Sequence, residues 1–502
     1  MKVLFIYSDL FPTHLDWPGH YYVGIGYLSS VLKEAGHETA LIHVIKEFSS
    51  KEELLSRIKA YNPALIGFSS TTLTFKYVSE MAGWIHEAGL GVPVISGGVH
   101  ATLFPEEVLK TKGIDLACVG EGEIPLRNLC AALESGKDYR NIPGIWVNDN
   151  GTVRNNGVGP IVQDLDLLPF PDRSIYDYPN MLSEREGAAL IMASRGCPYH
   201  CAYCSNRALK KTLFTHNPGD YVRFRSVDNT IAEIKSILAK YPFINALKFD
   251  DDLFFLRKNW AEEFAKKYHQ EIGLPFVCNM RPNHLSPDIA LLLKKAGCVE
   301  VKIGLESGNE WIRNEVLKRN LSDKQMIEAF NVCHEVGMRT HSFNIVGVPF
   351  ETIATVLDTV KMNVAAKSDK SQVSIFYPLP RTELYDLCKE KGFTVENTGY
   401  DFFTPMLNIG TISKKRLFFL YKNFDILKTI YSKAFALKPS LSKPAIAFLD
   451  KLFHSPFLDI AGETLLVLRK IKSLLWPRRA INKLRRSRAW GKASSHVLPP
   501  TL

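Results

Sequence analysis

The chain has 502 residues, 46% hydrophobic and 23% charged, which supports two or three ordinary globular cores and excludes a disordered or fibrous protein. Its formal charge of +10 is local: Arg469 to Lys492 holds ten Lys and Arg and no acid, and outside it basic residues equal the 52 acidic ones. The body of the protein is therefore neutral. Of the nine cysteines (118, 130, 197, 201, 204, 278, 298, 333 and 388) only three cluster, which suits a reducing compartment and not a disulfide scaffold. No charged, apolar and cleavable leader opens the sequence, and no apolar run nears the roughly eighteen residues of a membrane span, so a cytoplasmic protein is expected.

Residues 1 to about 135 alternate short apolar runs with helical periodicity. Strands are expected at Val3 to Tyr7, Thr39 to His43, Ala64 to Phe68, Val92 to Ile95 and Leu116 to Val119. Helices are expected at Tyr21 to Ala35, then near 51–60, 75–88, 104–111 and 124–134. This series predicts a doubly wound parallel sheet whose ligand sits beyond the carboxyl ends of the strands. The loops there read Ser69-Ser70-Thr71-Thr72, Ser96-Gly97-Gly98-Val99-His100 and Gly120-Glu121-Gly122-Glu123. Small residues let a large ligand approach the backbone, and hydroxyls can bond its amides or phosphate. The absence of G-x-G-x-x-G after the first strand argues against a dinucleotide.

Residues 136–188 read as a connection, with a hairpin turn at Asp149-Asn150-Gly151 and prolines at 160, 169, 171 and 179. A second β/α series follows. Its strands are expected at Ala189 to Ala193, Ala246 to Phe249, Phe276 to Asn279, Cys298 to Ile303, Thr340 to Val346 and Gln372 to Ile375, with helices between. Six such units fit a partial parallel barrel with its post-strand loops gathered at one face. Those loops carry three cysteines, Asp250-Asp251-Asp252, Asn279 with Arg281, Gly304-Leu305-Glu306-Ser307-Gly308 and Gly347-Val348-Pro349.

Cys197, Cys201 and Cys204 form a C-x3-C-x2-C pattern. A cubane iron–sulfur cluster usually takes four thiolates, so three in one loop leave one iron open to a small molecule. A zinc knuckle completed by His200 is the competing reading, and no second C-x2-C pair supports it.

With Tyr203 just before the last cysteine and the strand-end motifs in order, residues 1 to roughly 400 resemble a radical S-adenosylmethionine enzyme of the class carrying an N-terminal cobalamin-binding domain, like class B methyltransferases. The resemblance implies an α/β chain: a Rossmann-like cobalamin domain (1–140), a linker (141–187), a partial (β/α)6 barrel (188–400) and a helical extension with a basic tail (401–502). It implies a 4Fe-4S cluster on Cys197, Cys201 and Cys204, whose open iron chelates S-adenosylmethionine and whose electron releases a 5′-deoxyadenosyl radical. Asp250, Asp251 and Glu306 would accept from the ribose or the methionine ammonium, although three aspartates replace the family's usual glycine-rich second motif. Gly347 and Pro349 resemble the adenine platform. Ser69, Gly97, Gly98, His100, Gly120 and Gly122 would line the cobalamin. No D-x-H-x-x-G motif is present, so the lower face of the corrin would lack a histidine ligand.

Together these features imply methylation of an unactivated carbon, with a second S-adenosylmethionine remethylating the cobalt. Cyclisation, oxidation or rearrangement without methyl transfer shares every motif, and a non-catalytic cobalamin-binding protein is a third reading. Methylthiotransfer is disfavoured, because Cys118 and Cys130 are too few for a second cluster. An electron donor such as flavodoxin or ferredoxin is implied. Arg416 to Phe435 is expected to be helical and packed on the barrel. Glu463 to Trp476, running into the basic segment, has the pattern of an interfacial helix suited to anionic lipid on the inner face of the membrane, with a solvated tail as the alternative. That makes a lipid or tetrapyrrole substrate plausible, and no nucleic acid is expected.

Overall fold

The computed structural model describes residues 1–10, 18–46, 50–149, 151–215, 217–393 and 402–455. The basic segment and the interfacial helix expected before it lie outside these residues. The chain divides into two compact units, one of Met1–Tyr199 with Cys204–Asn245 and one of His200–Tyr203 with Ala246–Leu502.

In the first unit, β1 (Lys2–Ser8), β2 (Glu38–Val44), β3 (Leu65–Ser69), β4 (Val94–Gly97) and β5 (Leu116–Cys118) pair in parallel. The hairpin strands β6 (Ile145–Asp149) and β7 (Thr152–Arg154) add an antiparallel edge, giving the order β2-β1-β3-β4-β5-β6-β7. Both faces are covered, as the near-continuous apolar runs require. Val3 and Phe5 enter one core with Ile25 and Leu129, while Leu4 and Ile6 enter the other with Val78 and Ile85.

The helix expected at 104–111 forms as Pro105–Lys110, and a further short helix, Gly98–Leu103, precedes it. Phe104 between them has φ −135°, because a residue before proline is pushed out of the helical region. Later in this unit come β8 (Ala188–Ile191) and a short antiparallel ribbon of β9 (Ser194–Arg195) and β10 (Arg223–Phe224).

In the second unit, β11 (Ala246–Phe249), β12 (Phe276–Met280), β13 (Cys298–Glu306), β14 (Arg339–Val346) and β15 (Lys370–Ile375) pair in parallel in that order. The expected Arg416–Phe435 helix forms as Lys414–Lys422 and Phe424–Phe435. It breaks at Asn423, whose side chain donates back to the Phe419 carbonyl at 2.9 Å and competes with the helical ladder. Leu417, Leu420, Leu427 and Tyr431 of this pair share a core with Val356, Leu357 and Val360 of the helix Ile353–Ala365. Among the described residues no helix is long and apolar enough to cross a membrane.

A buried ionic network holds the proline-rich connection of the first unit. Glu233, 1% exposed, accepts from Arg173 at 2.6 Å and from Arg225, and these arginines also donate to the Leu190 and Met192 carbonyls on either side of the end of β8. Arg173 also lies over the Tyr21 ring, 5.2 Å from its centre. Burial opposes ionisation of Glu233, but the two guanidinium groups prevail and hold its carboxyl low. Removing one member of such a network strands the others. Glu233→Ala should therefore lower the unfolding free energy by about 3–5 kcal/mol, read by urea denaturation. A loss under roughly 1 kcal/mol, the scale of an exposed pair, would mean that the arginines are hydrated and not buried.

Candidate functional site

In the first unit, a cavity of about 280 Å³ opens at the carboxyl ends of β3, β4 and β5. Ser69, Gly97, Gly98, Gly120 and Gly122 all line it, together with Phe5, Tyr22 and Leu126. The close approach that glycine permits is visible at Gly98, where φ is +88° and a Cβ would lie 2.7 Å from the Ser70 carbonyl oxygen. The hydroxyls of Ser70 and Ser96, at the ends of the same strands, are buried without a hydrogen-bond partner among the described residues. Such loops, wrapped around an apolar wall with unspent hydroxyls nearby, suit one limb of a large ligand bearing amides or phosphate.

His100 does not line this cavity. Its ring stacks on Phe75 with centres 4.0 Å apart, and burial pushes its pKa down to about 4, so it is neutral.

Sequence reasoning gave no role to Arg195, which stands in the cavity wall two residues before Cys197. Its guanidinium pairs with Glu121 at 3.0 Å and Glu123 at 2.6 Å, above the Tyr27 ring at 4.9 Å. Arg223 grips Glu121 from the other side at 2.7 Å. Burial alone would raise the Glu121 carboxyl, but Arg195 and Arg223 hold it below its usual range. The start of the cysteine loop is thus tied to the Gly120–Glu123 loop that shapes the cavity.

The three cysteines are reduced and divide between the units: Cys197 and Cys204, both half-buried, in the first, and Cys201, 8% exposed, in the second. Cys204 is the N-cap of the helix Ser205–Phe214. In the second unit the Cys201–Tyr203 stretch is pinned at Ala202, whose N–H donates to the Leu317 carbonyl and whose carbonyl accepts from Leu384, both at 3.1 Å. Arg281, just after β12, places Nη1 3.6 Å from Cys201 Sγ and also donates to the Arg319 carbonyl. Among the described residues, no three His, Cys, Asp or Glu side chains are gathered as ligands of a single metal ion.

Glu306 ends β13 with φ +65°, a left-handed conformation costing on the order of 1–3 kcal/mol in a residue with a side chain. Its carboxylate, 12% exposed, lies 3.3 Å from Arg319 Nη1, which also donates to Tyr203 Oη at 2.7 Å. Arg319 Nη2 reaches the Gly304 carbonyl at 2.6 Å, and its Nε is buried without a partner among the described residues. Burial raises the Glu306 carboxyl above its ordinary range, while Arg319 and the Tyr203 hydroxyl pull the other way. Cys201, Tyr203, Arg281, Glu306 and Arg319 thus form one polar cluster. The sequence pointed to all of these except Arg319, which follows the π-helical turn Ile312–Val316 and sits between two positive-φ residues, Lys318 and Asn320.

The aspartates after β11 separate. Asp250 is 42% exposed and pairs with Lys248 at 3.2 Å, whereas Asp251 is fully buried and its carbonyl accepts from Asn279 at 3.0 Å. The stacked Phe254 and Phe255, 4.8 Å apart and buried, fix this loop. After β14, Gly347 has φ +82° and donates its N–H to Glu351 Oε2 at 2.5 Å, with Val348 N–H adding a longer bond at 3.3 Å. Pro349 is buried beside them. Glu351, also missed in the sequence, is 0% exposed, and its Oε1 is unpartnered among the described residues.

Comparisons with known proteins come from three directions. The model of the B12 binding domain matches residues 19–130, and that of the Radical SAM superfamily matches residues 191–362. An uncharacterized methyltransferase of Pyrococcus horikoshii is 28% identical over 366 residues, 72% of this chain and 77% of that protein. The anaerobic magnesium-protoporphyrin IX monomethyl ester cyclase of Rubrivivax gelatinosus is 23% identical over 484 residues, 92% of this chain and 84% of that one. Among solved structures, the radical S-adenosylmethionine methyltransferase TsrM of Kitasatospora setae shares the fold, with TM-score 0.62 and 18% identity, covering 80% of this chain and 79% of its own.

Burial, against two backbone donors, pushes the Glu351 carboxyl up from 4.5 to about 8. The folded chain therefore keeps this proton between about pH 4.5 and 8 while the unfolded chain loses it, so the contribution is full below 4.5 and is lost as pH rises through 8. Glu351→Gln cannot titrate. Its stability should gain on the wild type by up to about 1.4 kcal/mol per pH unit across that window, measured by urea unfolding at several pH values. Parallel stability curves would show that Glu351 is ionised in the fold.

Proposed function

From the premise that the chain is a radical S-adenosylmethionine enzyme with a B12-binding domain, whose cofactors are a 4Fe-4S cluster, S-adenosylmethionine and cobalamin, we propose that it methylates an unactivated carbon of a small-molecule substrate. The observation that carries this reading is the cavity in which Ser69, Gly97, Gly98, Gly120 and Gly122 come together, in the unit that matches the B12-binding model and that also holds Arg195 at the head of the cysteine loop. Methyltransferase relatives support the outcome.

Cys197, Cys201 and Cys204 would hold the cluster and leave one iron open. Loaded in this way, the enzyme gains a carbon-centred radical from the cluster with S-adenosylmethionine and a transferable methyl group from the corrin. The chain's residues do the positioning. Arg281 positions Cys201 through its contact with the sulfur, and Arg319 aims the Glu306 carboxylate, which accepts from a ribose hydroxyl or an ammonium group. Asp250 and Asp251 follow β11 for the same purpose, Asp250 being the more exposed of the two and paired with Lys248. Glu351 holds the Gly347 N–H inward, leaving the Gly347–Pro349 backbone as an adenine platform. The low-potential electron would come from a flavodoxin- or ferredoxin-like donor. The basic run 469–492 supports a substrate met at an anionic membrane surface.

A second reading, ring closure without methyl transfer, is favoured by the cyclase relative that aligns over 92% of this chain. One experiment separates the two. The reconstituted enzyme is given reductant, methyl-deuterated S-adenosylmethionine and a metabolite extract of the source cells under anaerobic conditions. Methyl transfer predicts a new compound carrying the labelled methyl group. Release of 5′-deoxyadenosine with no label in any new compound would move the assignment to cyclisation, oxidation or rearrangement.

A further inference from the structure

The five parallel strands of the second unit have two chemically distinct faces. One is packed by helices: Asn363 of the helix Ile353–Ala365 donates to Asn344 at 2.7 Å and accepts from Ser342 at 2.5 Å. Residues alternate along a strand, so His341 and Phe343 of β14 face the other way. Strand register sets Asn279, Lys302, His341 and Lys370 side by side across β12 to β15, in one row of that opposite face. The row towards the strand starts holds Lys248, Val277, Glu300 and Arg339.

The charges on these two rows do not balance. Lys248, Lys302, Arg339 and Lys370 oppose only Asp250, at the end of β11, and Glu300, and both carboxylates are already engaged. Asp250 pairs with Lys248 at 3.2 Å. Glu300 takes Lys370 at 2.6 Å, with Arg339 and His341 each at 3.7 Å. Its carboxyl is held down to about 2, burial opposing and His341, Lys370 and Arg339 prevailing. Lys302 has no hydrogen-bond or ion-pair partner among the described residues, although it is half-buried. Burial, and then the neighbouring Lys248, push its pKa down to about 8, against Asp250 and Glu300.

A cation left unmatched on that face of the sheet is a place for an anion from outside the chain. Lys302 lies four residues before Glu306 on β13, roughly 13 Å along the strand, which is the span of a small molecule.

We propose that Lys302 is a substrate-anchoring residue that takes an oxyanion, carboxylate or phosphate, at one end of the substrate while the reacting carbon lies towards the Cys201–Glu306 end of the sheet. This rests on the radical enzyme reading above and adds the substrate class: a small molecule with an anionic terminus. His341 and Asn279 flank Lys302 in the same row. Anion binding holds the proton on Lys302 and raises its pKa, whereas loss of that proton above pH 8 weakens the anion.

The test is per-lysine acylation of the reconstituted full chain, read by peptide mass spectrometry after short pulses of acetic anhydride at a series of pH values. Iron and corrin are assayed in the same sample. Lys302 should become reactive near pH 8, before the surface lysines, and a saturating anion should slow its labelling by about fivefold or more. Separate arms with inorganic phosphate and with propionate identify which oxyanion is preferred. Lys302→Met should abolish phosphate or propionate binding measured by calorimetry, and Lys302→Arg should keep it, with unchanged thermal unfolding showing that both variants fold. Labelling indifferent to both anions in a sample with full iron and corrin would overturn the anchor and leave the enzyme reading intact. Protection in a sample that takes up neither cofactor would do the reverse.

Discussion

Charge buried at the ends of parallel strands must be matched within hydrogen-bond reach, and in the second unit Arg319 meets that requirement. One guanidinium joins the Glu306 carboxylate, the Tyr203 hydroxyl and the Gly304 carbonyl, while the Arg319 carbonyl accepts from the arginine that faces Cys201. Without it Glu306 would sit in an unfavourable backbone conformation with an uncompensated carboxylate, and neutralisation would be cheaper than ionisation. The polar cluster around Cys201 exists because this pairing holds it together.

The first unit solves the same problem around its cavity. Its small-residue loops give up side-chain packing so that a ligand can approach the backbone, and the rigidity they lose is restored by Arg195 and Arg223 on Glu121 and Glu123. These pairs are largely withdrawn from solvent, so salt screens them far less than it screens surface pairs. One consequence is mechanical: the residue that stiffens the cavity wall lies in the same short strand that leads into the three cysteines.

How much of this the sequence disclosed depends on the range of the interaction. Apolar runs such as Val3 to Tyr7 and turn-forming glycines act locally, and all the parallel strands read from them formed within a few residues of expectation. Ser69, Gly97, Gly98, Gly120 and Gly122 were legible as a group because strand-end position in a doubly wound sheet already implies convergence. Arg195, Arg319 and Glu351 were not. Each matters only through a partner brought near by folding, and an isolated arginine or glutamate has no spacing to mark it. Lys302 was silent for the same reason, since strand register alone shows that its neighbours' charges are spent elsewhere. His100 was misleading in the opposite sense: a histidine after Gly-Gly at a strand end looks like a contact, but its first turn of helix rotates it onto Phe75.

The account stands or falls on one chain holding a corrin and a three-thiolate cluster independently. The direct measurement is iron, sulfide and corrin content after anaerobic reconstitution of the wild type and of Cys201→Ala. The account predicts about four irons and one corrin per wild-type chain, and a variant that loses the iron and its brown absorbance while keeping the corrin. A wild-type chain that takes up no corrin, or a variant that keeps its full iron, would contradict it.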